Sequence, residues 1–283
     1  MVTKLNIFLD ETGKDKNDLS LIGAVSIPSD FYQSKKVQKL NRELQEDVFK
    51  LHFTQYDKSD YDTYIRVIKD ILSCNGIIRI NGIIFKKSQF RIHPLLASKV
   101  DDMIYGKIPE RVIYGLLRNY SNLEPVNANI FIESSEEYKA RNLNKVVKDQ
   151  INTHALYRFD NFKIKRSNLV AKNQQIGVEV TDIFIGILRL IINCDALIGD
   201  CNKVSNTLLS KILLINDLLP TLENLFTRTS IYELSYQDHL TKIPLNSYLG
   251  LFKAKLLLLQ DNHPDYFTNA SFKKLSNNLK VPE

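Results

Sequence analysis

The sequence predicts an α/β protein in which helices flank a mixed five-stranded sheet. Short apolar runs alternate with longer segments of helical periodicity, and the regular alternation in the second half indicates parallel strand pairing. The 283 residues are 44% hydrophobic, with only ten Gly and eight Pro. This composition is typical of a globular chain rather than a disordered one.

The strands are predicted where short apolar, β-branched runs end at turn residues or acids. They cover residues 5–9, 20–27, 77–85 and 129–132, with a weaker fifth strand near 162–164 or 169–170. Helices are predicted where apolar residues recur every three or four positions. They cover roughly residues 31–50, 60–74, 94–105, 109–120, 136–156 and 177–198, and the pattern is mostly helical from residue 205 onward.

Cysteine usage and hydropathy indicate a cytoplasmic protein with no membrane partner. Cys74, Cys194 and Cys201 form no CxxC pair, which suits a reducing compartment, and we expect them to be buried apolar residues. No secretory segment precedes the first predicted strand. The longest apolar stretch, residues 183–192, is interrupted by Arg189 and is too short to span a bilayer.

Positive charge is concentrated in one segment. The formal net charge is +6, yet residues 138–172 alone carry +7. The basic residues of this segment are Lys139, Arg141, Lys145, Lys148, Arg158, Lys163, Lys165, Arg166 and Lys172. Because the aromatic residues Tyr157, Phe159 and Phe162 lie among them, the segment predicts nucleic-acid binding through backbone contacts and base stacking. A solvated helix face followed by an ordinary strand is the alternative.

Two predicted strands run directly into acids. The first strand leads into Asp10 and Glu11, followed by a Thr-Gly turn, and the fourth leads into Glu133. If these strands are parallel neighbours, their last residues lie about 5 Å apart. Two carboxylates at that spacing repel each other, and a divalent cation with oxygen ligands would stabilise them. An acidic turn after an edge strand is the alternative for the first segment.

A late apolar helix contributes two further acids. Glu179 and Asp182 are three positions apart and therefore share a helix face, and Gly186 allows that face to approach the sheet. Taken singly, an acid at this position is also explained by the helix dipole. Together with Asp10 and Glu133, however, these acids predict a site for one or two Mg²⁺ or Mn²⁺ ions.

Two segments resemble motifs of a known family. Residues 9–13, LDETG, resemble the DESG opening of the DUF3800 proteins, and residues 176–186, IGVEVTDIFIG, resemble their closing LQLADLIAG segment. The resemblance covers residues 5–198. The sequence departs from the family at Thr12, where Ser is usual, and at Glu179, where Gln is usual.

The resemblance implies a ribonuclease-H-like domain over residues 1–200. The remaining residues lie outside the resemblance, and their helical pattern predicts a C-terminal extension over residues 201–283 packed on that domain. It implies that Asp10, Glu133 and Asp182 hold the metal, with Glu179 or Glu11 as an auxiliary ligand or water-orienting base. It also implies a nuclease, of the kind often encoded in bacterial or phage mobile and defence loci.

We therefore expect a Mg²⁺- or Mn²⁺-dependent nuclease that binds RNA or DNA through its basic segment. A catalytically degenerate nucleic-acid-binding subunit is one alternative. A subunit that binds a partner of a defence or toxin system, or a second copy of itself, is another, and hydrolysis of a smaller phosphate ester is a third. We expect His52 to be an ordinary surface or core histidine, although it follows a helix and is able to approach the site.

Overall fold

The structure, a computed structural model, describes residues 2–13, 19–74, 77–90, 97–121, 124–199, 203–235, 239–264 and 267. Its strands form one mixed sheet with helices on both faces. The strands are β1 (Thr3–Thr12), β2 (Leu19–Pro28), β3 (Arg79–Lys86), β4 (Val126–Glu133), β5 (Phe162–Val170), β6 (Thr229–Leu234) and β7 (Leu240–Lys242). The helices are α1 (Ser29–Tyr32), α2 (Lys35–Gln45), α3 (Tyr61–Leu72), α4 (Lys87–Phe90), α5 (Val100–Asp102), α6 (Ile108–Ser121), α7 (Glu136–Ala140), α8 (Leu143–Arg158), α9 (Ile176–Ile192), α10 (Cys194–Ile198), α11 (Asn206–Phe226) and α12 (Leu245–Asn262). Short 3₁₀ turns at Phe53–Gln55, Lys58–Asp60 and Ala97–Lys99 and a π-helical segment at Met103–Lys107 connect them.

The strand order across the sheet is β5-β4-β1-β2-β3-β6-β7. β1, β4 and β5 run parallel to one another, whereas β2 is antiparallel to both of its neighbours, β1 and β3. β6 pairs parallel with β3 and antiparallel with β7. The predicted α/β class and mixed sheet are confirmed. The predicted number of five strands is wrong, because β6 and β7 extend the sheet beyond β3 to seven strands.

Both additional strands lie in the segment that we expected to be helical, so that expectation holds only in part. β6 has six residues and β7 has only three. None of the three residues of β7 is fully buried. Such short strands carry too little apolar alternation to be distinguished from a connection between helices. α11 and α12 do pack against the rest of the fold, in the same hydrophobic cluster as α9. The division of the chain at residue 200 remains a prediction.

Alternation along β1 separates two helix layers. Phe8 packs in the cluster that contains α9, whereas Ile7 and Leu9 pack in a second cluster with α6 and α8. We refer to these sides of the sheet as the α9 face, marked by Phe8, and the α6 face, marked by Ile7. β1 lies in the middle of the sheet and is buried on both sides, which explains its continuous apolar run.

α9 packs closely on its neighbours because two of its glycines face aromatic rings, one on the sheet and one in the turn at Phe53–Gln55. A Cβ at Gly177 would lie 2.4 Å from Cζ of Phe8, and one at Gly186 would lie 2.2 Å from Cδ1 of Phe53. The helix is buried along nearly its whole length. Its first turns therefore stand directly beside the carboxyl end of β1, and this is the feature of the fold that positions the candidate site.

Several predicted elements differ in their bounds. The helix predicted over 31–50 is divided where Ser34 accepts a hydrogen bond from the Val37 N–H and caps α2. The helix predicted over 136–156 is divided at Asn142, which has a left-handed backbone with φ of 47°. Residues 97–107 form short 3₁₀, α and π segments instead of one helix, and residues 94–96 lie outside the described ranges. The two alternatives for β5 are parts of one strand.

Cys74 and Cys194 are buried free thiols, as predicted, and Cys201 lies outside the described residues. In the part of the chain that the structure describes, no helix combines the length and the apolar character needed to cross a membrane.

Candidate active site at the carboxyl ends of β1 and β4

Asp10 and Glu133 stand side by side at the ends of two parallel strands. The β1–β4 register pairs Leu9 with Ile132, so the next residue on each strand is an acid. Both side chains point to the α9 face, because Leu9 and Ile132 point to the α6 face. Asp10 is only 3% exposed, and Glu133 beside it is half-buried.

The pKa of Asp10 lies well above its ordinary value. Burial is the largest cause, followed by the hydrogen bond to Glu133 and the negative charges of Glu133 and Asp182. The backbone N–H of Glu11 donates to Asp10 Oδ1 at 2.7 Å and opposes the shift. Asp10 therefore holds a proton more strongly than an isolated carboxylate would, and a cation at this position would replace that proton.

α9 brings Asp182 to the same place. Asp182 is 6% exposed, and its Oδ2 accepts a hydrogen bond from the Phe53 N–H at 2.9 Å. The same oxygen lies 2.8 Å from Nδ1 of His52. Both partners belong to the turn that begins at His52, which therefore fixes the orientation of the carboxylate.

Glu179 completes the group one helical turn earlier. Burial raises the pKa of Glu179 to about 7, and the charges of Glu133 and Asp182 add to the shift. The Asn173 N–H donates to Glu179 Oε1 at 2.7 Å and opposes the shift, as does the charge of Lys172. The structure thus brings four acids together on the α9 face: Asp10, Glu133, Glu179 and Asp182. The sequence predicts one site for these same four residues.

The chemistry of these donors suits a hard divalent cation, but their placement does not form a complete ligand set. Carboxylate oxygens are the ligands that Mg²⁺ and Mn²⁺ prefer. Among the described residues, however, no group of three or more His, Cys, Asp or Glu side chains is positioned to hold a metal ion. The carboxylates are directed to protein partners instead: Asp182 to Phe53, Glu179 to Asn173, and Glu133 to Lys172 at 3.6 Å. The metal site therefore remains a prediction.

Glu11 is not brought into this group. As the next residue on β1 after Asp10, it points to the α6 face, where the buried Tyr138 hydroxyl donates to its Oε2 at 3.4 Å. A role as an auxiliary ligand would require its side chain to reach around the end of the strand.

The predicted basic segment is divided between the two sides of the sheet. Lys163 and Arg166 are exposed on β5, the edge strand, and both point to the α9 face. Lys163 does so because its neighbours Phe162 and Ile164 pack on the other side, and Arg166 because, after the bulge, it pairs with Asn129, whose neighbours on β4 pack on that other side. Lys172 lies beside Glu133. Lys165 occupies the bulge that shifts the β4–β5 register. The remaining basic residues lie on or beside the helices of the α6 face: Lys139, Arg141, Lys145, Lys148 and Arg158.

Two basic groups at the site were not assigned from the sequence. His52, expected to be an ordinary histidine, contacts Asp182. Lys211 of α11 donates to the Thr54 carbonyl at 2.9 Å and lies near enough to Asp182 for their charges to interact. Burial lowers the pKa of Lys211, and the charge of Asp182 opposes that shift. No pattern around Lys211 marks it, because its proximity to Asp182 comes from helix packing alone.

No protein-family model and no curated protein sequence matches this chain. The resemblance of residues 9–13 and 176–186 to the DUF3800 motifs is thus neither supported nor contradicted, and it stays a prediction. The function is therefore inferred from the site itself.

Proposed function

We propose that the protein is a divalent-metal-dependent nuclease that hydrolyses phosphodiester bonds in RNA or DNA. The observation that supports this most is the register of β1 and β4, which places the buried Asp10 beside Glu133, with the charges of Asp182 and Glu179 near them. Buried acids in one place are costly unless protons or a cation compensate them. Acids on the first strand, the fourth strand and a late helix also suit a ribonuclease-H-like fold, which is part of this proposal.

In this proposal Asp10, Glu133 and Asp182 hold one or two Mg²⁺ or Mn²⁺ ions. When bound, such an ion activates water and stabilises the leaving oxygen of a phosphodiester. Glu179 holds or releases a proton near neutral pH, since burial raises its pKa to about 7. The Asn173 N–H fixes Glu179 Oε1 and so orients the carboxyl group.

His52 and Lys211 have supporting roles. His52 Nδ1 holds the Asp182 carboxylate in one orientation, as outer partners of metal-binding carboxylates commonly do. Lys211 adds a positive charge on the Asp182 side, where it would attract the phosphate of a substrate.

The exposed cations of β5 offer a path for the substrate backbone. Lys163 and Arg166 share the α9 face with the acids, and Val170, at the end of the same strand, pairs with Glu133. At about 3.3 Å per residue, the strand from Lys163 to Val170 extends for roughly 23 Å. Phosphate contacts along it would lead a strand of nucleic acid to the acids without selecting a sequence.

A catalytically degenerate nucleic-acid-binding or partner-binding subunit is the second candidate. It is favoured by one observation: the described acids are directed to protein partners and do not form a ligand set. A role in bacterial or phage defence, or in a mobile element, and a location in the cytoplasm follow from the resemblance and from cysteine usage and stay part of the proposal.

The test compares cleavage of end-labelled single- and double-stranded RNA and DNA in Mn²⁺, in Mg²⁺ and in EDTA. We expect metal-dependent cleavage that Asp10→Asn and Asp182→Asn each lower by about 100-fold or more. Asp149→Asn, an exposed acid on α8, is the matched control and should cleave like the wild type. Cleavage that survives both site substitutions would overturn the proposal. If the protein binds nucleic acid but neither cleaves it nor binds Mn²⁺, the second candidate is favoured.

A further inference from the structure

A concave site lies on the α6 face, on the side of the sheet away from the acids. It is a cavity of about 780 Å³ between β3, α6, the end of α8 and the two strands β6 and β7. This volume lies within the range of small-molecule sites, which is about 300–1,000 Å³. Its apolar lining includes Ile83, Ile108 and Leu234, which belong to the α6-face cluster.

The polar lining of the cavity is strongly basic. It includes Lys107, Arg111, Arg118 and Arg158, against Glu110 as the one acid among the described lining residues. Glu110 is 2% exposed, and its charge is compensated within the wall, since Lys107 Nζ donates to its Oε2 and His154 Nδ1 lies 2.9 Å from its Oε1. The cavity therefore presents the guanidinium groups of Arg111, Arg118 and Arg158 to a ligand, beside an acid whose charge is already paired.

Aromatic rings stand beside these cations. Tyr114 and Tyr232 are half-buried in the lining. The guanidinium of Arg158 lies 5.1 Å from the centre of the Tyr114 ring and donates to its hydroxyl at 3.3 Å. Asp160 accepts a hydrogen bond from the same hydroxyl. Arg158 is thereby held at the rim of the cavity, next to a ring on which a planar group is able to stack.

One buried polar atom in the lining has no partner. Asn81 is 2% exposed, and its Nδ2 donates to the Val112 carbonyl at 2.7 Å, which fixes the orientation of the amide. Its Oδ1 makes no hydrogen bond. Buried carbonyl oxygens are rarely left without a donor. Gly115 leaves room for this amide, because a Cβ there would lie 2.7 Å from Asn81 Nδ2.

We propose that this cavity binds a nucleoside phosphate. The arginines would take the phosphate through charge-assisted hydrogen bonds. The tyrosines and the apolar lining would take the base, and Asn81 Oδ1 would accept a hydrogen bond from a base or sugar donor. Cations alone would suit any anion, but the combination with aromatic rings and an unused buried acceptor favours a phosphate that carries a planar group. The site does not depend on the acids of the α9 face.

The test is titration calorimetry of the full chain with a panel of mononucleotides, with adenosine and inorganic phosphate as partial ligands. We expect at least one nucleotide to bind about tenfold or more tightly than inorganic phosphate. Arg118→Ala and Arg158→Ala should each weaken that binding by about tenfold. Arg42→Ala, an exposed arginine on α2 outside the cavity, is the matched control and should bind like the wild type.

Binding of no mononucleotide would overturn the inference, as would equal affinity for inorganic phosphate or unchanged affinity in both arginine variants. Binding of an oligonucleotide but of no mononucleotide would also overturn it and would assign these arginines to a nucleic-acid surface. Asp10→Asn should bind the nucleotide like the wild type. A failure of the proposed nuclease activity is therefore distinguishable from a failure of this inference.

Discussion

Nδ1 of His52 lies 2.8 Å from Oδ2 of Asp182, although 130 positions separate the two residues. The contact exists because α9 packs on the turn at Phe53–Gln55, whose first N–H donates to the same carboxylate oxygen. Asp182 is thus held by two groups from one distant turn, while its charge acts on Asp10. These two contacts give the Asp182 carboxylate one fixed orientation.

The first prediction concerns the histidine itself. We expect His52→Ala to lower metal-dependent cleavage by about 10- to 100-fold, because Asp182 loses one of its two orienting partners. Folding should be nearly unaffected, since the His52 side chain is 34% exposed and the Phe53 N–H remains in place. His239→Ala, at an exposed position, is the control. Equal cleavage rates for wild type and His52→Ala would refute a positioning role.

The second prediction concerns the packing that makes this contact possible. We expect Gly186→Ala to lower the free energy of unfolding by about 1–3 kcal/mol, because the added Cβ would lie 2.2 Å from the buried Phe53 ring. In the matched control we expect the free energy of unfolding to change in the opposite direction. Gly250 lies within α12 with no atom near its added Cβ, so Gly250→Ala should raise stability by about 0.4–1 kcal/mol. Urea unfolding measures both, and equal effects would contradict the close approach of α9.

Much of the site was predictable because it follows from local patterns. An apolar run that ends in an acid marks a strand end, and this pattern identified Asp10 and Glu133. The register of two parallel strands then brings their side chains together. Likewise, the spacing of Glu179 and Asp182 places both on one face of α9 whatever the helix packs against.

The remaining features depend on contacts between distant segments. His52 and Lys211 reach Asp182 only through the packing of a turn and of α11 on α9, and no periodicity records such packing. β6 and β7 are short strands at one end of the sheet, and their pairing beyond β3 is specified by the tertiary fold. The face that each basic residue of β5 occupies depends on the position of the bulge, which the sequence does not mark.

The third prediction is a pH dependence of stability, measured in EDTA. Burial raises the pKa of Glu179 from an ordinary 4.5 to about 7 in the folded protein. The folded state then binds the proton more tightly than the unfolded state does, so this group makes stability fall as pH rises from about 4.5 to about 7, with no further change above that. Glu179→Gln removes this loss of stability, because glutamine does not ionise.

We therefore expect Glu179→Gln to gain about 2–3 kcal/mol of stability over the wild type at pH 8 and almost none at pH 4. The substituted side chain keeps a carbonyl oxygen for the Asn173 N–H. Glu46→Gln, at an exposed position, should show no such difference between the two pH values. If the difference in stability between Glu179→Gln and the wild type were the same at both pH values, folding would not raise the pKa of Glu179.

The fourth prediction separates the basic residues by the face they occupy. Lys163 and Arg166 point to the α9 face along the edge strand, whereas Lys145 is exposed on α8, which packs on the α6 face. Each phosphate contact that is lost should weaken nucleic-acid binding and reduce the slope of log K against log salt by about 1. We expect this from Lys163→Ala and from Arg166→Ala, and no change from Lys145→Ala. Because the three substitutions alter net charge equally, a general electrostatic effect would weaken all three alike, and that result would exclude β5 as the specific path to the acids.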